Sequence, residues 1–213
     1  DYAVIECGMG GKGDATNVER ENICSVITSV SIDHTMFLGN TVDEIKCEKL
    51  GISRKNSPCF NYEDYADNLD FNVNNLNLSK AVIDFLGYNS DIKLSRLPAR
   101  QQKIGNVLID GGHNVAAARA LSSIINNEIA VIGMMEDKDV EGYLRLVAPK
   151  CKRIIATTPN NARSMQAEKL SAIAKKYCND VIAINNPKLA VKESNVTLIC
   201  GSFYLARDII NLI

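Results

Sequence analysis

Apolar residues come along this chain in short runs, each closed by polar residues or glycine. Tyr2-Ala3-Val4-Ile5 stops at Glu6 and breaks into glycines. Ser25 to Ile32, rich in β-branched residues, stops at Asp33-His34. Both runs predict buried strands with polar groups at their ends. Thr41-Val42-Asp43-Glu44 has the form of a capping box and Gly51 that of a stop, so a helix is predicted between them, with Glu48 and Lys49 near its end. Ser53 to Asn77 is polar and rich in Asn and Asp, and predicts loop. Leu78, Val82, Phe85 and Leu86 then fall on one helical face, closed by Gly87. Ser90 to Gly105 reads as a weakly patterned linker containing Pro98.

From Asn106 the pattern is regular. Strands are predicted at Val107–Ile109, Ile129–Ile132, Arg153–Thr157, Val181–Ile184 and Val196–Ile199. Helices are predicted at Val115–Ile125, Val140–Val147, Met165–Tyr177, from Pro187, and at Phe203–Leu212. Five short apolar strands alternating with helices predict an α/β fold with a mainly parallel sheet covered on both faces. The domain boundary is expected near residue 100, giving domains 1–99 and 100–213.

Composition narrows the field. The 213 residues are 46% hydrophobic, enough for a proper core. A net charge of −1 argues against nucleic acid or an anionic membrane as partner. With no bilayer-spanning apolar run and no signal peptide, a cytoplasmic protein is expected. The seven cysteines include no C-x-x-C pair. Cys7, Cys24, Cys47 and Cys200 lie beside or within apolar runs, which predicts reduced thiols behaving as small buried hydrophobes.

The polar residues at the element ends are the candidate chemistry. Glu6 and His34, at two strand ends, could converge on one ion or substrate, since strand carboxyl ends form the ligand crevice of parallel sheets. Gly8-Met9-Gly10-Gly11-Lys12-Gly13 satisfies G-x-G-x-x-G, with Asp33 at the distance of a ribose-binding acid. A dinucleotide site also needs a helix packed directly behind the glycines. Asp14 to Glu21 offers only Ala15 and Val18 as apolar positions, too few for a buried face. Asp110 and His113 bracket Gly111-Gly112 between a strand and a helix. A helix start favours anions and glycines permit close approach, although Asp110 could simply cap that helix.

Several strings occur together and in order: ECGMGGKGDATN, ITSVSIDHTMFLGNTVDEI, EKLGI, Leu97-Pro98-Ala99-Arg100, LIDGGHN, Asp137-Lys138-Asp139 and CGSFYLARDI. With them the chain resembles the folylpolyglutamate synthase/dihydrofolate synthase family of the Mur ligase superfamily. The resemblance implies a partial central ATPase domain followed by a Rossmann-like C-terminal domain. It implies an ATP-dependent acid–amino-acid ligase that joins L-glutamate to folate or dihydropteroate through an acyl phosphate. It further implies ATP and Mg2+ as cofactors, a monomer, and Glu6, His34 and a carbamylated Lys49 at the metal. A buried, deprotonated lysine can capture carbon dioxide and so become a carboxylate-like ligand. Gly8, Gly10 and Gly11 would let the backbone pass close to phosphates. Asn75, Arg100, Asp110 and His113 would contact nucleotide or substrate, with Lys49, Asp110 and His113 acting in catalysis. Ala99 stands where the family usually has glycine.

Two departures from the family pattern stand out. No G-x-x-x-x-G-K-[ST] string is present, and the interval from Lys49 to Asn75 is several tens of residues shorter than the family pattern. The chain also opens at Asp1, inside a predicted strand. A fragment, or segments joined near residues 60–75, is therefore expected, and the 213 residues alone are expected not to use ATP. A Mur-type peptidoglycan ligase and a non-catalytic nucleotide-binding module are the rival readings.

Overall fold

The computed structural model describes residues 1–18, 21–67, 71–88, 91–92 and 97–212. The chain divides into two units, residues 1–95 and 96–213.

The first unit contains β1 (Ser25–Ile27), α1 (Thr35–Leu38), α2 (Val42–Leu50), β2 (Cys59–Asn61) and α3 (Phe71–Phe85). β1 and β2 pair in parallel, with Ser25 opposite Cys59 and Ile27 opposite Asn61. Phe60 of β2 packs on Phe85 of α3 at 5.6 Å between ring centroids. The capping box on α2 is complete: Thr41 Oγ1 accepts from Glu44 N at 3.2 Å, and Glu44 Oε2 accepts from Thr41 N at 3.2 Å.

Three expectations fail in this unit. Tyr2–Ile5 forms no strand, and Val4 is 99% exposed. A strand needs ladder partners for its backbone groups, and β1 and β2, the strands described in this unit, pair with each other. Thr28–Ile32 likewise lies outside the three-residue β1. Ser53–Asn77, expected as loop, contains β2, a 3₁₀ turn at Tyr62–Tyr65 and the start of α3. The four asparagines at 72, 74, 75 and 77 broke the apolar pattern there. Asn74 is nonetheless buried, and its side chain donates to Tyr62 Oη at 3.1 Å.

The second unit contains β3 (Gln102–Ile104), β4 (Val107–Asp110), α4 (Val115–Ser122), β5 (Glu128–Ile132), α5 (Val140–Val147), β6 (Cys151–Ala156), α6 (Ala167–Ala174), β7 (Val181–Ala183), α7 (Pro187–Ala190), β8 (Leu198–Cys200) and α8 (Phe203–Ile209). The strands form one sheet in the order β3-β4-β8-β5-β6-β7, parallel except for β3. Side chains alternate across it, as a strand period of two requires. Ala130, Ile132, Ile154 and Leu198 pack with residues of α4, α5 and α6. Ile129, Val131, Ile155 and Ile199 pack with residues of α7 and α8. Each fully buried Ile or Leu contributes about 1.5–3 kcal/mol, which is why these runs fold as a sheet covered on both faces.

β3 lies inside the expected linker and forms a hairpin with β4 through Gly105-Asn106, with Gly105 at φ +55°. The Gly-Asn pair between Ile104 and Val107 was the available signal.

All seven cysteines are free, but only Cys151, Cys178 and Cys200 are buried. Cys47 is exposed, and Cys7, Cys24 and Cys59 are half-buried, so the expectation of buried thiols fails in the first unit. Its small sheet covers too little surface to enclose them. Burial pushes the Cys151 thiol up to about 12. Among the described residues no helix is long and apolar enough to cross a membrane.

Candidate functional site

The second unit builds its site at the carboxyl ends of three adjoining strands. β8 inserts between β4 and β5, so the direction of winding reverses there, the position at which open α/β sheets bind ligands. Three turns leave this edge: Asp110–His113, Gly133–Met134 and Gly201–Phe203. Gly133 N donates to Cys200 O at 3.2 Å. Gly201 has φ +100°, and a Cβ there would lie 2.9 Å from Met134 Cγ and 3.0 Å from the Gly133 carbonyl. No side chain fits at that crossing.

Asp110 ends β4 and is 7% exposed. Its Oδ1 accepts from Gly112 N at 2.8 Å and its Oδ2 from Gln101 N at 3.2 Å. Gly111 N donates to Ala99 O at 2.7 Å. The carboxylate therefore ties the loop before β3 to the turn after β4. Burial raises its pKa above the ordinary carboxylate value, against the pull of those two amides and of the charges on Arg100 and His113.

Arg100 sits on the tied loop between Ala99 and Gln101, both left-handed at φ +56° and +48°. Left-handed backbone suits glycine better than alanine, the physical content of the departure at Ala99. Arg100 Cζ lies 4.7 Å from the centroid of the Phe203 ring. His113 meets the same ring edge-on, with centroids 6.2 Å apart and planes at 76°, and its Nδ1 lies 3.3 Å from Gly111 O.

The structure decides one alternative left open by the sequence. Asp110 does not cap α4; Asn114 does, its Oδ1 accepting from Ala117 N at 2.9 Å. A Cβ on Gly111 would strike the Phe203 ring, and one on Gly112 would strike Ala117 Cβ and Asp110 Oδ1. Phe203, Gln101 and Asn114 were missed as site residues. Gly201-Ser202-Phe203, a strand end turning into a helix, was the readable signal for the first. Asp137 faces Arg163 at 3.5 Å, and Asp139 caps α5 by accepting from Gly142 N at 2.8 Å.

In the first unit, residues 8–18 form bends and turns, and among the described residues no helix directly follows the glycines. That removes the dinucleotide fingerprint, whose phosphate site is a helix start. Instead Asp14 closes the loop, accepting from Met9 N at 2.8 Å, Thr16 N at 2.9 Å and Thr16 Oγ1 at 2.6 Å. The Thr16 hydroxyl, then the backbone amides, lower its carboxyl to about 2. Asp33 accepts from the backbone N of the next residue, His34, at 2.8 Å.

The loop after Glu6 packs on the helices that carry the other candidates. A Cβ on Gly10 would lie 2.7 Å from Leu38 Cδ2 of α1, whose N-cap residue is His34. A Cβ on Gly11 would lie 2.6 Å from the carbonyl oxygen of Lys49, and Lys12 N donates to Glu48 O at 2.8 Å. Glu6 and His34 are exposed, whereas Lys49 is half-buried rather than buried. Among the described residues no group of three or more His, Cys, Asp or Glu side chains could hold a metal. A carboxylate and an imidazole are donor types that a divalent cation can take together with phosphate and water oxygens. Asn75 lies on the exposed side of α3, its carbonyl accepting from Ser79 Oγ at 2.8 Å.

The second unit has a Rossmann-like fold, with the candidate site at the reversal of strand order. Residues 96–203 match the Mur ligase, glutamate ligase domain. The chain is 28% identical to the probable dihydrofolate synthetase of Schizosaccharomyces pombe, covering 97% of this chain and 69% of that protein. The match extends over 289 residues, more than the 213 of this chain, so the relative carries tens of residues with no counterpart here. Two solved structures share the fold. Escherichia coli FolC in complex with DHPP and ADP gives a TM-score of 0.77 at 20% identity, covering 97% of this chain and 64% of that one. The Yersinia pestis bifunctional folylpolyglutamate synthase/dihydrofolate synthase complexed with AMPPNP and Mn ion gives 0.76 at 21%, covering 97% and 65%. The chain thus spans less than two thirds of those solved proteins. It belongs to the Mur ligase family, and the relatives it is similar to are folylpolyglutamate and dihydrofolate synthases.

Proposed function

We propose that the chain serves an ATP-dependent amide ligase that adds L-glutamate to folate or dihydropteroate through an acyl phosphate. One observation carries this reading: Arg100, Asp110 and His113 lie together at the strand-order reversal of a matched glutamate ligase domain. Relatives with this fold were solved with ADP or with AMPPNP and Mn, which supports a nucleotide and a divalent ion as cofactors here. Residues 1–99 act as part of the ATPase domain and 100–213 as the ligase domain of a monomeric cytoplasmic enzyme.

Each residue has a stated task. Arg100 offers a planar fork of donors to phosphate oxygens. His113 contributes a ring nitrogen beside it. Asp110 fixes the loop that presents both, so that charge developing on the transferred phosphoryl group meets oriented donors. Glu6, His34 and a carbamylated Lys49 hold Mg2+, which when bound neutralises phosphate charge. Gly8, Gly10 and Gly11 keep the loop close to the phosphates, and Asn75 contacts nucleotide.

The test is ADP release, with ATP, L-glutamate and dihydropteroate or folate, by a protein that joins this chain to a G-x-x-x-x-G-K-[ST] phosphate loop; the 213 residues by themselves should release none. Release dependent on the pterin acceptor supports the ligase. Nucleotide binding without release makes the chain a binding module, and dependence on a UDP-sugar acceptor instead makes it a peptidoglycan-type ligase. Glu6→Gln should abolish metal-dependent release while leaving the thermal midpoint unchanged. Lys49→Ala should lose activity and recover part of it with added short-chain carboxylates. Full activity of Lys49→Ala without them excludes the carbamate.

A further inference from the structure

Phe203 is the first residue of α8, directly after its N-cap Ser202, whose hydroxyl accepts from Tyr204 N at 3.0 Å. No hydrogen-bonding group of Phe203 takes part in the site, yet three site elements meet its ring. The Arg100 guanidinium lies over one face at 4.7 Å, and the His113 ring approaches at 6.2 Å and 76°. The ring also fills the volume that a side chain on Gly111 would need. The negative face of an aromatic ring attracts a cation, and an edge-to-face partner has a preferred direction. Asp110 orders the backbone of the 99–101 loop and of the 111–112 turn by accepting from Gln101 N and Gly112 N.

We infer that Phe203 is the positioning residue that holds the Arg100 guanidinium and the His113 imidazole toward a shared anionic ligand, a nucleoside polyphosphate. The inference rests on the nucleotide role given above to Arg100 and His113. Asp110 sets where the two residues start from the backbone, and Phe203 sets where the guanidinium and the imidazole lie. Replacing the ring with an aliphatic group of similar bulk keeps the space at Gly111 filled but removes the π face. Replacing it with another phenyl-type ring keeps both.

The experiment compares wild type, Phe203→Leu and Phe203→Tyr in the full chain, by NMR of the histidine and arginine side chains and by calorimetric titration with ADP. The chain has only two histidines, so His113 signals are assigned by one His34→Gln spectrum. In Phe203→Leu the His113 ring protons and Arg100 Nε–H should lose their ring-current displacement, and the ADP dissociation constant should rise about three- to tenfold. Phe203→Tyr should keep the displacements and bind ADP within about twofold of wild type. Unchanged His113 and Arg100 signals in Phe203→Leu overturn the positioning role. Displaced signals with unchanged ADP affinity overturn its consequence for the ligand. Absence of ADP binding by wild type refutes the nucleotide reading, while the NMR arm still decides whether Phe203 orders the two side chains. A Phe203→Tyr variant as weak as Phe203→Leu shows that shape alone matters, and also overturns the proposal.

Discussion

Two carboxylates with opposite shifts give the residue-scale tests. Asp110 has a raised pKa, so its contribution to stability is fully present below the ordinary carboxylate value and is lost as pH rises through the folded value. Urea midpoints of wild type should therefore fall across that window as pH rises, and Asp110→Asn should lack the slope. At neutral pH the amide offers one acceptor where two backbone amides need one each. The lost bond costs about 1–3 kcal/mol, partly offset by removal of a buried charge. Asp14 is lowered to about 2, so its clasp on Met9 and Thr16 persists above the ordinary value and is lost as pH falls toward 2. The Met9 and Thr16 amide signals should titrate with a midpoint near that value, and a midpoint near the ordinary one would remove the clasp.

At the scale of elements, the two best-formed local structures each have a substitution that isolates them. Thr41→Ala removes the acceptor for Glu44 N and should destabilise α2 by about 1 kcal/mol, read as faster amide exchange at Glu44 and Ile45. Gly105 turns the β3–β4 hairpin at φ +55° with nothing within 4 Å of a Cβ, so substitution there meets backbone strain alone. Gly105→Ala should cost about 1 kcal/mol in urea unfolding and Gly105→Asn less, because asparagine tolerates the left-handed region. Equal cost for both would mean that the turn changes conformation instead.

The whole molecule joins a second unit with two continuous cores to a first unit that leaves much apolar surface outward. Val4, Ile5, Val18, Met36 and Phe37 are all exposed, whereas Ile132, Ile154, Ile155, Leu198 and Ile199 are fully buried. Hydrogen exchange should therefore be slowest in β5, β6 and β8, which pair on both edges, and fast across residues 1–18. Protection of Val4 and Ile5 equal to that of β5 would show that they are paired in solution.

The second unit's alternation of strands and helices follows from local composition, because a strand buried on both faces needs a continuous apolar run and its covering helix a periodic one. The capping box at Thr41 is likewise a purely local exchange of two hydrogen bonds. The Asp110 and His113 candidates were legible because a polar residue and glycines interrupted an apolar run where a strand ends, whereas Arg100 came only from the resemblance carried by Leu97-Pro98-Ala99-Arg100. Tertiary structure alone decided whether a run pairs: Tyr2–Ile5 has a strand's composition and no ladder, while Gln102–Ile104 has little composition and pairs with β4. It alone decided that Asp110 ties a loop rather than caps a helix, since its second acceptor bond reaches Gln101, nine residues away. It alone brought Phe203 to Arg100 and His113, because residues about a hundred positions apart meet only once β8 has inserted between β4 and β5.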